Sequence, residues 1–445
     1  MSLTDTIAAI STATGTGAIS IVRLSGIDAI EIANKGCSYD LSKQESHSIR
    51  YGKWLDPITS EVMDEVMISL FRAPKTYTRE DIVEINCHGG PIITRQILQS
   101  LLVYGARLAQ PGEFTQRAYL NGRIDLTQAE ATMDLIEANS TLATKAAINA
   151  ISGSVANLLN PLLDKMMQII THIEVNIDYP EYDDVELMTQ ELLLPLAYEI
   201  KEDLIKILKQ AETGRQIKEG VKSVILGKPN VGKSSLLNAL LEEDKAIVTD
   251  IAGTTRDLVE GWVRLEAITL HLIDTAGIRM TSDQIEQIGI DKSFQALDEA
   301  ELVIVLLDGS EALSDEDRLI LDKTETSNRI IVTNKKDILE HRHSELVISA
   351  QNQQIQPLID EINLRYQDSM MLLKQPLLGN QRQVAHMQQA LLYLNQALAE
   401  VEKGIELDIV NEDLVRCYQQ LYEILSPAGS VDLVSEIFSR FCLGK

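Results

Sequence analysis

Apolar and polar positions alternate along the first part of the chain with two different periods. Residues 18–24 (AISIVRL) and 64–70 (DEVMISL) alternate at every second position, which predicts strands. Residues 89–91 (GGP) then break the chain before residues 92–104, where apolar side chains recur at helical spacing. This mixture predicts an α+β domain over residues 1–120.

From about residue 121 the period is helical. Residues 128–143 and 147–175 carry apolar side chains three and four positions apart, and a further helix is predicted over residues 189–217. The intervening run 178–184 (DYPEYDD) is more typical of a solvated turn than of a metal site. We therefore predict that residues 121–218 form the first part of a helical domain.

The period changes again at Val221. Short β-rich runs now alternate with helical segments, and they cover residues 221–226, 271–274, 302–307, 330–333 and 346–348. This alternation is typical of a doubly wound α/β domain, predicted over residues 219–374. Helical patterns return in residues 375–445, the predicted second part of the helical domain. An α/β domain inserted in a helical one is tolerated where the ends of the insert lie close together.

Composition narrows the classes of partner and compartment. A chain of 445 residues is too long for one ordinary core, so several domains are expected. The net charge of −26 repels nucleic acids on average, so a nucleic-acid partner would need a local basic surface. The 4 cysteines are scattered, which favours a cytoplasmic protein over a disulfide framework or a zinc site. We expect no secretory signal and no membrane span.

A phosphate-loop pattern begins the α/β region. Residues 227–235 (GKPNVGKSS) fit G-x-x-x-x-G-K-[ST], and they follow an apolar strand and open a helix, as a phosphate loop requires. Lys233 is expected to reach the β- and γ-phosphates, and Ser234 to ligate Mg²⁺. The strand–loop–helix context disfavours a chance glycine turn. The predicted nucleotide contacts here are Asn230, Val231, Gly232, Lys233, Ser234 and Ser235.

Two later segments have the composition of nucleotide switches, although each could alone be a plain loop. Asp274 ends a strand-like run and can hold Mg²⁺ through water, while Gly277 can offer its N–H to the γ-phosphate. Thr255 is the candidate Mg²⁺ ligand that senses this phosphate. Ile278 stands where a Ras-like GTPase has glutamine, so another group or a partner must orient the attacking water. The predicted contacts are Thr249, Asp250, Ile251, Ala252, Gly253, Thr254, Thr255, Asp274, Thr275, Ala276 and Gly277.

The motif at residues 334–337 (NKKD) predicts the base that is bound. Asp337 can accept hydrogen bonds from the guanine N1–H and N2 amino groups, and adenine lacks this pair of donors. Lys335 can lay its aliphatic stem along the base. Asn334, Ser349 and Ala350 complete the predicted base-binding loops. NKKD alone is ordinary loop composition, but as the third motif in an ordered set it predicts a GTPase.

These motifs and three outer segments make the chain resemble the bacterial tRNA-modification GTPase family called MnmE or TrmE. The outer segments are residues 5–9 (DTIAA), residues 111–115 (PGEFT) together with Arg117, Ala118, Asp125 and Leu126, and residues 441–445 (FCLGK). The resemblance covers the whole chain. It implies an N-terminal domain that binds folate and dimerises, a helical domain, and a P-loop G domain that dimerises around GTP.

The resemblance also implies an activity and further site residues. With the flavoprotein MnmG, such a homodimer adds an aminomethyl or carboxymethylaminomethyl group to carbon 5 of the wobble uridine of tRNA. The carbon would come from 5-formyl- or methylene-tetrahydrofolate. By resemblance, K⁺ would be held by Asn230, Thr249, Ile251 and Thr254, and water would be oriented by Glu286. The implied folate contacts are Arg23, Glu84, Arg123 and Lys445, and Cys442 is a candidate reactive thiol.

Two other functions stay open at this point. A ribosome-assembly GTPase would share the nucleotide motifs, but the outer segments and the lack of a visible basic RNA-binding module speak against it. A nucleotide-binding scaffold without hydrolysis is the second alternative. Equal and negligible GTP turnover in potassium and in sodium would favour the scaffold.

Overall fold

Two β-sheets organise the part of the chain that the structure describes. The structure is a computed structural model, and it describes residues 5–13, 15–138, 140–178, 190–242, 246–247, 261–273, 297–367, 377–426, 438 and 444. The chain divides into an N-terminal unit, Met1–Met133 with Leu421–Lys445, and a central unit, Asp134–Gln420.

The strands that the structure describes are numbered in chain order. They are β1 Ile7–Ile10, β2 Ile19–Ser25, β3 Ser48–Leu55, β4 Val62–Phe71, β5 Ile82–His88, β6 Arg107–Leu108, β7 Val221–Leu226, β8 Ala246–Ile247, β9 Gly261–Arg264, β10 Thr269–Leu272, β11 Leu302–Asp308, β12 Arg329–Asn334 and β13 Leu346–Val347.

The α-helices are numbered in the same way. They are α1 Ala29–Gly36, α2 Pro91–Tyr104, α3 Glu113–Leu120, α4 Leu126–Glu137, α5 Thr141–Ile151, α6 Ser154–Asp178, α7 Gln190–Glu219, α8 Lys233–Glu242, α9 Asp315–Lys323, α10 Gln356–Arg365, α11 Gln381–Glu402 and α12 Leu407–Leu425. Short 3₁₀ turns lie at Leu41–Lys43 and Lys336–Ile338.

The sheet of the N-terminal unit has the strand order β3-β4-β5-β2-β1-β6. Its strands pair antiparallel except β1 and β6, which run parallel. Along β4, Val66 and Ile68 are buried whereas Met67 between them is exposed, because successive side chains point to opposite faces. The buried face packs with apolar residues of α1 and α2. The predicted α+β character of this region is therefore present.

A buried ion network joins two of the outer segments that carry the family resemblance. The guanidinium of Arg117 on α3 is almost fully buried, and its nitrogens lie 2.7 Å from Asp5 Oδ1, 3.1 Å from Glu80 Oε1 and 3.1 Å from Glu113 Oε1. Arg107 also pairs with Asp5, at 2.6 Å. Removing one member of such a network leaves a buried charge without its partner, which is strongly destabilising. These segments therefore hold the N-terminal unit together.

The sheet of the central unit has the order β13-β12-β11-β7-β10-β9-β8. Strands β10, β7, β11, β12 and β13 run parallel, and β9 pairs antiparallel with β10 and β8. Strand β11 is buried at every position, as expected of a parallel strand covered on both faces. The predicted α/β class is confirmed here, while the short strands β8 and β9 were absent from the prediction.

Long helices complete the central unit. Helix α6 buries apolar residues three and four positions apart, which is the helical period seen in the sequence, and α7 packs against α11. Among the described helices, none has both the length and the apolar composition needed to cross a bilayer. The domain boundaries at residues 120, 218 and 374 stay predictions.

Candidate functional site

The phosphate loop connects the end of β7 to the start of α8. Its backbone takes a left-handed turn at Asn230 (φ 59°) and at Gly232 (φ 102°), a conformation that favours glycine. A Cβ on Gly227 would lie only 2.5 Å from the carbonyl oxygen of Leu306, so this glycine is required by the close approach of β11. Successive turns of this kind direct backbone N–H groups into a concavity that suits anions.

Lys233 lies across this loop. Its Nζ donates hydrogen bonds to the carbonyl oxygens of Gly227 at 2.7 Å and Lys228 at 2.9 Å. Lys233 is also the first residue of α8. The charge of its ammonium group and the positive end of the helix dipole therefore both raise the positive electrostatic potential at the phosphate loop. This arrangement can bind a phosphate group.

The described residues that are predicted to bind cations carry oxygen atoms, which Mg²⁺ and K⁺ accept as ligands. Of the predicted sets, Ser234 for Mg²⁺ and Asn230 for K⁺ lie in the described loop. Hydroxyl and amide oxygens are hard ligands, and hard cations bind oxygen. The described part of each donor set therefore fits its cation, and Ser234 would hold Mg²⁺ beside the phosphates.

Lys228 anchors the phosphate loop, a role that sequence reasoning missed. Its Nζ lies 2.9 Å from Asp317 Oδ2 and 2.9 Å from Glu311 Oε1. Asp317 is 1% exposed and also closes the capping box of α9 with Ser314. Burial opposes ionisation of Asp317, but hydrogen bonds from Ser314 and Lys228 outweigh it, so its pKa is lowered. The capping box is a visible sequence signal, whereas the pair with Lys228 is not.

Asn334 bridges the phosphate loop and the base loops. Its Nδ2 donates to the carbonyl oxygen of Val231 at 2.8 Å, and its Oδ1 accepts from the backbone N–H of Ala350 at 2.9 Å. Both hydrogen bonds are buried, where leaving either group unpaired is costly. A Cβ on Gly232 would lie 2.3 Å from this Nδ2, so the bridge also requires glycine there. The structure thus brings three predicted nucleotide motifs together.

The predicted base-reading side chains surround the turn at residues 335–337. Asp337 is exposed, and its Oδ1 accepts a hydrogen bond from Ser349 Oγ at 2.6 Å. This hydrogen bond is the main reason that the pKa of Asp337 is lowered, so its carboxylate is an acceptor at neutral pH. Lys335 has a left-handed backbone (φ 64°), and its Nζ lies 2.6 Å from Asp308 Oδ2. The carboxylate, the ammonium and the Ser349–Ala350 backbone therefore form one cluster.

Several predicted site residues lie outside the described residues. From the switch segments these are Thr249, Asp250, Ile251, Ala252, Gly253, Thr254, Thr255, Asp274, Thr275, Ala276, Gly277 and Glu286, and from the C-terminal segment they are Cys442 and Lys445.

Three predicted folate contacts line one cavity in the N-terminal unit. The cavity has a volume of about 820 Å³ and is lined by Arg23, Glu84 and Arg123. Arg23 on β2 and Glu84 on β5 are register partners, and Arg23 Nε donates to Glu84 Oε1 at 2.8 Å. The cavity is also lined by residues that sequence reasoning did not single out, namely His47, Phe71, Pro74, Lys75, Thr76, Tyr77, Arg79, Ile82 and Thr132.

Gly444 lies close to the same arginine. The carbonyl oxygen of Gly444 accepts hydrogen bonds from Ser11 Oγ at 3.1 Å and from Arg23 Nη1 at 3.4 Å. Gly444 has φ 89°, and a Cβ there would lie 2.4 Å from the carbonyl oxygen of Ile10. Glycine is therefore needed at position 444, which lies against the end of β1.

A phosphate loop on a parallel sheet, bridged by Asn334 to an Asp337 loop, defines the P-loop GTPase class. Two sequence profiles match the chain: "MnmE helical domain" over residues 126–442 and "GTP-binding protein TrmE N-terminus" over residues 6–123. The chain is 48% identical over 451 residues to the tRNA modification GTPase MnmE of Streptococcus gordonii, covering 99% of each chain. It is 46% identical over 457 residues to that of Enterococcus faecalis, covering 99% of this chain and 98% of the relative. The chain therefore belongs to the MnmE family of tRNA modification GTPases.

This membership confirms the predicted family, the multidomain fold class and the prediction of a GTPase. Among solved structures, the chain is similar to a variant of Aquifex aeolicus Era bound to GDP and AlF₄⁻. The sequences are 29% identical, the match covers 33% of this chain and 56% of that one, and the TM-score is 0.26.

Proposed function

We propose that this protein is the GTP-hydrolysing component of a complex that modifies the wobble uridine of tRNA. Its product would carry an aminomethyl or carboxymethylaminomethyl group at carbon 5, with the carbon taken from 5-formyl- or methylene-tetrahydrofolate and with the flavoprotein MnmG as partner. One observation carries this proposal: the chain that has the nucleotide loops also has Arg23, Glu84 and Arg123 around a single cavity.

The chemistry of the cavity supports a reduced folate as its ligand. Glu84 can accept hydrogen bonds from the N–H groups of a pterin edge, and Arg23 holds this carboxylate in place. Lys75, Arg79 and Arg123 also line the cavity, and none of them forms an ion pair with a described carboxylate. Cations that are not already paired with an acid suit the carboxylates in the glutamate tail of a folate. Lys445 would also contact this tail.

An exposed sheet face supports the proposed homodimer. Ile49 and Tyr51 on β3 and Met67 on β4 are 62%, 59% and 50% exposed, and β3 is an edge strand. An apolar face beside an unpaired strand edge is a common place for another chain to bind. We propose that the N-terminal regions of two copies meet through this face. Changing Tyr51 and Met67 to lysine would then give a monomer in sedimentation analysis, and an unchanged dimer would place the interface elsewhere.

Hydrolysis is proposed to depend on K⁺ and on Glu286. Asn230 supports the K⁺ site because its left-handed turn forms part of the phosphate loop. GTP turnover is expected to be several-fold faster in potassium chloride than in sodium chloride at equal ionic strength. Glu286→Ala is expected to leave the affinity for GTP unchanged and to slow turnover, since orienting water matters only for the chemical step. Equal rates in both salts would contradict the K⁺ site, and a loss of affinity without a loss of turnover would contradict the role of Glu286.

The function in the cell is tested by mass spectrometry of tRNA nucleosides. Cells that lack this protein are expected to lose the modification at the wobble uridine, and the wild-type gene is expected to restore it. The Lys233→Ala variant should fail to restore it. Complete modification in the deleted strain would contradict the proposed function. The cytoplasm, where tRNA is modified, is the proposed location.

A further inference from the structure

Asp308 holds Lys335 of the base loop, residues 334–337, but is not itself one of the predicted nucleotide contacts. Asp308 is the last residue of β11 and is 5% exposed. Its Oδ2 accepts a hydrogen bond from Lys335 Nζ at 2.6 Å. Asp308 is the register partner of Asn334 in the parallel pairing of β11 with β12. The carboxylate is thus fixed beside the first residue of the base motif by the sheet itself.

The carboxylate of Asp308 is fixed at both oxygens. Its Oδ1 accepts from the backbone N–H of Ser310 at 2.9 Å and from Ser310 Oγ at 2.6 Å, so Oδ2 is directed to Lys335. Burial opposes ionisation, but the hydrogen bonds from Lys335 and Ser310 outweigh it, and the pKa of Asp308 is lowered. Asp308 is therefore an anion throughout the neutral range.

The next residue, Gly309, supports the same loop through its backbone. Its N–H donates to the carbonyl oxygen of Asn334 at 3.0 Å, and its own carbonyl oxygen accepts from the N–H groups of Glu340 and His341, each at 2.8 Å. A Cβ at this position would lie 2.6 Å from the Asn334 carbonyl oxygen. Residues 308–310 therefore act as a platform on which the base loop is built.

We infer that Asp308 is a positioning residue for the guanine base, acting through Lys335. When a base covers the aliphatic stem of Lys335, the ammonium loses water, and a charge that loses water without a partner is costly. Asp308 supplies that partner before the base arrives. It also limits the conformations of a long side chain, which lowers the entropy lost on binding. This inference rests on the proposed guanine site.

The test measures the affinities for GTP and GDP by calorimetry, with the full-length protein. Asp308→Asn keeps the shape of the side chain and removes its charge. We expect the affinities for GTP and GDP each to fall about tenfold, because a charge-assisted hydrogen bond is lost. The GTP-over-ATP ratio and kcat at saturating GTP are expected to stay unchanged, because Asp337 reads the base edge. Asp315→Asn on the exposed start of α9 is the matched control and should bind like wild type.

A double-mutant cycle separates positioning from a structural role. Lys335→Met keeps the stem and removes the ammonium, so adding Asp308→Asn to it should cause no further loss of affinity. Lys335→Met also serves as the test if Asp308→Asn does not fold, and it should bind both nucleotides about tenfold more weakly. A further tenfold loss in the double variant, or wild-type affinity in either single variant, would overturn the inference. If Asp337→Asn leaves guanine selectivity intact, the proposed guanine site itself is wrong.

Discussion

The phosphate loop and the N-terminal cavity are both suited to anionic ligands, but they are built by opposite means. In the phosphate loop the backbone is the main donor, and glycines are required because β11 and Asn334 lie too close for a Cβ. In the cavity, side chains on different strands supply the groups, as in the pair of Arg23 with Glu84. We therefore expect one added methyl group to weaken ligand binding at the first site, and the loss of one charge to weaken it at the second.

This difference also separates groups that bind from groups that hold the fold. Arg23 has 22% of its side chain exposed and lines a cavity, whereas Arg117 has 2% exposed and is surrounded by three acids. Ion pairs that look similar in sequence therefore have different roles. Exposure to a cavity distinguishes the ion pair that a ligand can reach from the one that is closed off from it.

The largest expected effect is that of Lys233→Ala. It removes the charged donor at the phosphate loop, and GTP turnover is expected to fall about a hundredfold or more. Turnover is measured as phosphate release at saturating GTP. Lys222→Ala, which removes a lysine from a surface pair with Glu299, is the control and should keep full turnover. Full activity of Lys233→Ala would refute the phosphate-loop assignment.

A methyl group at Gly232 tests the claim that backbone geometry makes this site. Gly232→Ala is strained at φ 102° and places its Cβ against Asn334 Nδ2, so the affinity for GTP should fall about thirtyfold. Gly105→Ala is the matched control, because Gly105 also has positive φ but open space around it. The comparison between the two sites fails if both alanine variants bind GTP like wild type.

Asp337→Asn tests the side-chain part of the nucleotide site. An amide cannot accept both hydrogen bonds from guanine, so the affinity for GTP should fall about tenfold. Xanthine carries an oxygen in place of the guanine N2 amino group, and it should gain affinity for the variant. Competition between GTP and XTP measures this change. An unchanged preference for GTP would show that another group selects the base.

Glu84→Gln has the smallest expected effect and tests the cavity. The affinity for 5-formyltetrahydrofolate is expected to fall about fivefold in calorimetry, because a charged acceptor becomes neutral. GTP turnover should stay unchanged, because Glu84 belongs to the cavity and takes no part in the phosphate loop. Glu61→Gln in the β3–β4 hairpin is an exposed control. A loss of GTP turnover with intact folate affinity would reverse the roles proposed for the two regions.

The sequence by itself determined the elements and the nucleotide motifs. A period of three to four positions reflects which side chains are buried along one helix, so it predicted α6. A short β-rich apolar run predicted β11, which is buried on both faces. The phosphate loop could be recognised because its donors are backbone groups of consecutive residues. Strands β8 and β9 were not predicted, although β10 and β13, which have the same lengths of four and two residues, were.

Only the tertiary structure decided which distant groups meet. Arg23 and Glu84 are 61 positions apart, and Lys228 and Asp317 are 89 apart, yet each pair is within hydrogen-bond distance. No sequence period links such residues, because strand order and helix packing decide how close they lie in space. Asp308 reaches Lys335 because β11 pairs with β12 in one particular register. A local pattern encodes which face of an element is buried, and the packing of elements decides which charges face each other.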